Sequence, residues 1–201
     1  PRRQVREILS KTGRESVRRR DLPMEAVVYY VIALGLFMET SYGEVLRCLI
    51  EGLSWLEGQE PARAAGKSGI TFARQRLGAG PLEELYGQCR PQASEGTPGA
   101  FYKKLRLVSV DGSALAVPDT AANRAGFGKP KSSRGEAAFP ILRFAALVET
   151  GTHLMFAAAM DRYSTGESTI AARLLPRIER GMLLLVDRLY GSYAFLHQAA
   201  T

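Results

Sequence analysis

Met182–Tyr193 reads MLLLVDRLYGSY. Met182 to Val186 is apolar at every position, which suits a central strand covered on both faces, and the run delivers a single acid, Asp187, at its end. The fold follows from which earlier strand lies beside this one.

Upstream, Ser164-x-x-Glu167 has capping-box spacing, and Ile170, Leu174, Leu175 and Ile178 form one helical face that Gly181 ends. Before that helix come three runs that read as strands: Leu105–Val110 leading into Asp111, Phe139–Val148 and His153–Met160. Thr150-Gly151 makes a tight turn between the last two. The order is strand, strand, strand, helix, strand. A right-handed crossover returns the fourth strand parallel to the first, most economically next to it.

Parallel neighbours about 4.8 Å apart bring Asp111 and Asp187 to the same end of the sheet. Two carboxylates there can share a metal, and hard oxygen ligands without a His or Cys cluster select Mg²⁺ or Mn²⁺ over zinc. Two such ions activate the attacking oxygen and steady the leaving oxygen of a phosphodiester. Taken singly, Asp111-Gly112 also reads as a turn dipeptide, and Asp187-Arg188 as a loop ion pair or helix N-cap. Their joint placement favours the metal.

Other chemistry is poorly supported. Neither His153 nor His197 accompanies a serine in an elbow motif, which disfavours a hydrolase triad. Ala65-Gly66-Lys67-Ser68 resembles the tail of a P-loop, but Pro61 stands where its first glycine is required.

The first half of the chain has helical rather than strand periodicity. Residues 1–20 are basic and read as a solvated arm. Asp21 is an N-cap candidate, with Pro23 in the first turn, for a buried helix through Met38. Ser41-Tyr42-Gly43-Glu44 has capping-box spacing for a second helix carrying Val45, Leu46, Leu49, Ile50 and Leu53 and closing near Gly52. Gly58–Ser68 is a loop by composition. A basic helix follows, with Ile70, Phe72 and Leu77 to pack and Arg74 and Arg76 to meet an anion, as in a helix-turn-helix. The segment 81–89 makes a fourth helix. Arg90–Gly99 concentrates Pro, Gly and Ser like a linker. The domains are therefore 1–20, a basic arm; 21–92, helical; 93–104, linker; and 105–201, the sheet.

Composition agrees with a polyanion-binding protein: 27 Lys and Arg against 20 Asp and Glu leave +7 over 201 residues. The loop Gly128–Gly135, with Lys129, Lys131 and Arg134, can track a DNA backbone. Cys48 and Cys89 have no paired spacing, so neither a disulfide framework nor a zinc site is expected, and the cytosol fits. The longest apolar stretch, Val27–Met38, is 12 residues long and broken by Gly35, too short to span a bilayer.

The chain resembles transposases of the insertion-sequence-4 type, bacterial DDE enzymes with a ribonuclease-H-like core. LPMEAVVYYVIALGLFMETSYGEVLRCLIEGL and GITFARQRLGAGPLEELY are similar to the family's helical N-terminal region. VSVDGSALAVPDTAANRAGFG and LLLVDRLYGSYAF are similar to the segments holding its first two acids. The resemblance implies an α/β protein: a helical N-terminal domain, then an incomplete ribonuclease-H-like core whose mixed sheet runs strand-strand-strand-helix-strand. It makes Asp111 and Asp187 catalytic metal ligands for Mg²⁺ or Mn²⁺, acting in DNA transposition and recombination of a mobile element. It also implies double-stranded DNA partners (transposon ends and target), a homodimer, no small-molecule cofactor, no membrane, and the bacterial cytosol or nucleoid. The family's third acid is a downstream glutamate in a Tyr, Arg, Glu, Lys signature. The chain stops at Thr201 before such a segment, and Glu149, Asp161, Glu167 and Glu179 all precede Asp187, so the N-terminal part of a transposase is expected, either a truncated gene product or a fragment of a longer one, without a complete site and inactive as it stands. The alternatives are a DNA-binding transposase remnant without catalysis, or a ribonuclease-H-like nuclease unrelated to transposition.

Overall fold

The computed structural model describes residues 2–16, 22–57, 67–133 and 135–200. It divides into two compact units, Pro1–Gln88 and Cys89–Thr201.

The first unit is helical: α1 (Arg2–Lys11), α2 (Met24–Leu36), α3 (Tyr42–Glu57), α4 (Lys67–Leu77) and α5 (Gly80–Gly87). The basic arm expected at residues 1–20 is a helix over its first half. Val5, Ile8 and Leu9 stand at i, i+3 and i+4 and are buried, with Val5 and Leu9 joining the core formed by Leu22, Val27, Tyr30, Leu46 and Leu77. So short an apolar stripe is easily lost among five charged neighbours. Asp21 lies outside the described residues, and Pro23 is the N-cap of α2.

Two further expectations change here. Helix α2 is buried over its first half, whereas Leu36, Phe37 and Met38 are exposed. Apolar residues all round a helix do not say where its neighbours stop. Ser41 does accept from the Glu44 amide at 3.3 Å, but the Glu44 carboxylate is held by Arg47 and does not close the capping box. The helix then runs past Gly52 to Glu57.

In the second unit, β1 (Phe101–Tyr102) and β2 (Leu105–Ala116) lead to α6 (Ala121–Phe127) and a small hairpin, β3 (Lys131–Ser132) with β4 (Gly135–Glu136). Then come β5 (Ile141–Glu149), β6 (Leu154–Arg162), α7 (Glu167–Ala172), β7 (Met182–Leu185) and α8 (Tyr193–Ala200). β2 pairs antiparallel with β5, and β5 with β6. β7 returns parallel to β2, with Ser109 opposite Leu185. The expected order of three strands, a helix and a fourth strand beside the first is met, and the mixed α/β arrangement is consistent with part of a ribonuclease-H-like core.

The central placement expected of the MLLLV run is not met. Among the described residues β7 pairs only with β2, and Leu185 is 41% exposed. The second core lies between the sheet and α7–α8, where Val108, Leu147, Phe156, Ile170, Tyr190 and Phe195 are buried together. Helix α7 is short, because a 3-10 turn with Pro176 takes over at Leu175–Arg177.

The segment read as a linker at 90–99 is pinned to this core. The amides of Gln92 and Ala93 both donate to Glu149 Oε2 at 2.9 Å. Ala100 is fully buried against Gly151, where an added Cβ would stand 2.4 Å from the Ala100 Cβ. Gly151 is therefore needed for space.

Candidate functional site

Asp111 is an interior residue of β2, not a turn, since the strand continues to Ala116 with unbroken pairing to β5. Asp187 follows β7 and is the N-cap of a 3-10 turn, Arg188–Tyr190. The last paired rung of β2 and β7 is Ser109 with Leu185, so each aspartate stands two residues beyond the same rung. Both are exposed. Asp111 Oδ1 accepts from the Gly112 amide at 2.8 Å, and Asp187 Oδ1 from the Leu189 amide at 2.7 Å. Each leaves Oδ2 without a protein partner among the described residues. A carboxylate oxygen left open on β2 and another in the turn after β7 are donors of the chemistry that a hard divalent cation takes, so Asp111 and Asp187 would be the residues to hold Mg²⁺ or Mn²⁺. Among the described residues no group of three or more His, Cys, Asp or Glu is placed to hold a metal ion.

Tyr190, three residues after Asp187, belongs to the second core. Its ring is fully buried, with the Phe195 ring centroid 5.3 Å away, and its hydroxyl donates to Glu167 Oε1 at 2.7 Å. Burial pushes the phenol well above its ordinary range; the Glu167 hydrogen bond and charge, then the charges of Asp111 and Asp187, push the same way. The Asp111 and Asp187 fields therefore both reach this one hydroxyl. Sequence reasoning gives neither Glu167 nor Tyr190 a role beside the aspartates. The spacing from Ser164 makes Glu167 half of a local capping box, but Gly166 is the N-cap and no side chain caps α7. The one available signal is Gly112, a glycine inside a strand, which marks a close approach by another element.

The basic residues are dispersed. Arg74 is exposed and stacks 5.6 Å from the Tyr42 ring centroid, and Arg76 is exposed. Phe72, expected to pack, is 63% exposed. The buried face of α4 is Ile70, Ala73 and Leu77, and Phe72 falls off it. Lys129 is tied to Asp119 at 3.0 Å with its side chain 15% exposed. Arg134 lies outside the described residues. Lys131 lines a cleft of about 550 Å³ together with Arg124, Lys129, Arg162 and Tyr163. Asp119 pairs with Arg124 and Lys129, while Lys131 and Arg162 form no ion pair among the described residues. Arg162 is four residues along β6 from Ala158, which shares a row with Asp111 through Ala146. That is roughly 13 Å at about 3.3 Å per residue.

The helical unit is followed along the chain by a mixed sheet in which β2 carries Asp111 and the turn after β7 carries Asp187. Residues 1–87 match the family model described as insertion element 4 transposase N-terminal. The chain is 28% identical over 190 residues to "Putative transposase InsZ" of Escherichia coli strain K12, a match covering 94% of this chain and 61% of that protein. It is 27% identical over 190 residues to "Transposase InsG for insertion sequence element IS4" of the same strain, covering 94% and 42%. The match over residues 1–87 agrees with the resemblance read from the sequence. The chain spans less than two thirds of each of these relatives. Among the described residues, no helix is long and apolar enough to cross a membrane.

Proposed function

We propose that the chain is part of a DDE transposase that binds double-stranded DNA at the ends of an insertion element and, in a complete core, hydrolyses and transfers DNA strands. The observation that carries this reading is the register: Asp111 and Asp187 sit two residues beyond one rung of a parallel strand pair. In the proposal they hold Mg²⁺ or Mn²⁺, which when bound supplies the charge that activates an attacking oxygen and steadies a leaving one. The chain's own part is to hold the two carboxylates at one sheet end and to present the cations Lys131 and Arg162 to DNA phosphates.

The test uses a protein of the relatives' full length and duplexes carrying element ends. Asp111→Asn or Asp187→Asn is expected to abolish Mg²⁺-dependent cleavage while DNA binding stays. Cleavage retained by either variant would overturn the assignment. A second reading is DNA occupancy without cleavage. DNA binding with no cleavage by the unsubstituted protein would select it.

A further inference from the structure

We propose that Glu167 is a positioning residue for the paired aspartates, acting through Tyr190 and the backbone at Gly112. This rests on the reading that Asp111 and Asp187 bind a divalent cation.

Glu167 is the first residue of α7, yet its carboxylate serves no cap. It reaches 23 residues along the chain to accept the Tyr190 hydroxyl at 2.7 Å. Tyr190 ends the 3-10 turn that Asp187 begins, so this bond fixes the turn carrying one aspartate. The other end of the brace is β2. A Cβ on Gly112 would lie 2.3 Å from Glu167 Cδ, 2.4 Å from Cγ and 2.7 Å from Oε1. Gly112 is thus required because the Glu167 side chain occupies its place, directly beside Asp111 in sequence.

Strand alternation makes Glu167 a positioning residue rather than a ligand. Gly112 shares the face of Val108 and Val110, which is the α7 face, and Asp111 projects from the opposite face. Glu167 therefore braces β2 and the Asp187 turn from behind. One side chain clamps the two backbone segments whose separation sets the distance between the carboxylates. Groups hydrogen-bonded directly to metal ligands commonly account for about a 10- to 100-fold effect on metal affinity, and Glu167, one step further out, is expected at the lower end of that range.

The experiment measures Mn²⁺ binding to a protein of the relatives' full length by electron paramagnetic resonance of free Mn²⁺, at a temperature where circular dichroism shows every variant folded. Glu167→Ala and Tyr190→Phe are each expected to weaken Mn²⁺ about ten-fold or more. Glu167→Gln keeps an acceptor of the same shape and is expected to restore most of the affinity. Gly112→Ala should reproduce the loss by displacing Glu167 while leaving Glu167 and Tyr190 in the sequence. Unchanged affinity in Glu167→Ala, Tyr190→Phe or Gly112→Ala would overturn the proposal, as would a loss in Glu167→Gln as large as in Glu167→Ala. Asp111→Asn separates the two levels: if it leaves Mn²⁺ binding intact, or the unsubstituted chain shows no saturable binding, the metal reading itself fails.

Discussion

Arg106 and Glu149 pair inside the second unit, the guanidinium on β2 meeting a fully buried carboxylate at the end of β5. Thr152 and the amides of Gln92 and Ala93 donate to the same carboxylate. Burial alone would raise its pKa; the donors together outweigh burial and hold it below the ordinary 4.5. A carboxyl depressed on folding contributes stability that is fully present above its unfolded pKa and is lost as pH falls through the folded one.

Urea unfolding at a series of pH values is the check. The unsubstituted chain should lose stability as pH falls below about 4.5, the ordinary value from which Glu149 is depressed. Glu149→Gln should be less stable at neutral pH by roughly 1 to 3 kcal/mol, because an amide cannot satisfy the same four donors and leaves Arg106 unpaired. Its acid-side slope should be shallower. An identical slope in both proteins would mean that Glu149 does not carry the linkage.

The buried stripe of α1 makes a second expectation. Leu9 is 3% exposed within the helical core. Leu9→Ala should cost roughly 2 to 5 kcal/mol of that unit's stability. A solvated arm would show almost no change, so an unfolding midpoint within error of the unsubstituted chain would restore the arm reading.

For nucleic acid, the cleft cations that form no ion pair among the described residues, Lys131 and Arg162, are the ones to reverse. Lys131→Glu with Arg162→Glu should weaken binding to duplex DNA of any sequence and flatten the salt dependence by about one unit of log–log slope for each phosphate no longer neutralised. Lys129→Glu confounds the result, because it also breaks the Asp119 pair. Affinity and slope unchanged in the double variant would remove the cleft from the DNA path.

Much of the fold is legible in the sequence because it is written in local periodicity. The runs ending at Asp111 and Asp187, the β5–β6 hairpin turn and the faces of α3 and α7 each repeat at 2 or about 3.6 residues. The short elements β1, α6, β3 and β4 escape because two to seven residues hold too few repeats to stand out. Of the candidate site, the two aspartates are legible from their run-ends and the handedness of crossovers. Glu167 is not, since its spacing from Ser164 fits a local cap equally well and its actual partner is Tyr190.

The sequence by itself determined the order of strands and helices, and the acid placed at the end of MLLLV, because apolar periodicity and crossover handedness are properties of the chain near each residue. Only the tertiary structure decided that β7 pairs with β2 alone among the described residues, that Gly112 yields its space to Glu167, and that Lys129 is tied to Asp119 while Lys131 forms no ion pair among the described residues. Those outcomes depend on where backbones separated by 10 residues (Asp119 and Lys129) to 76 residues (Ser109 and Leu185) come to lie. A side chain's reach across that gap has no period to read.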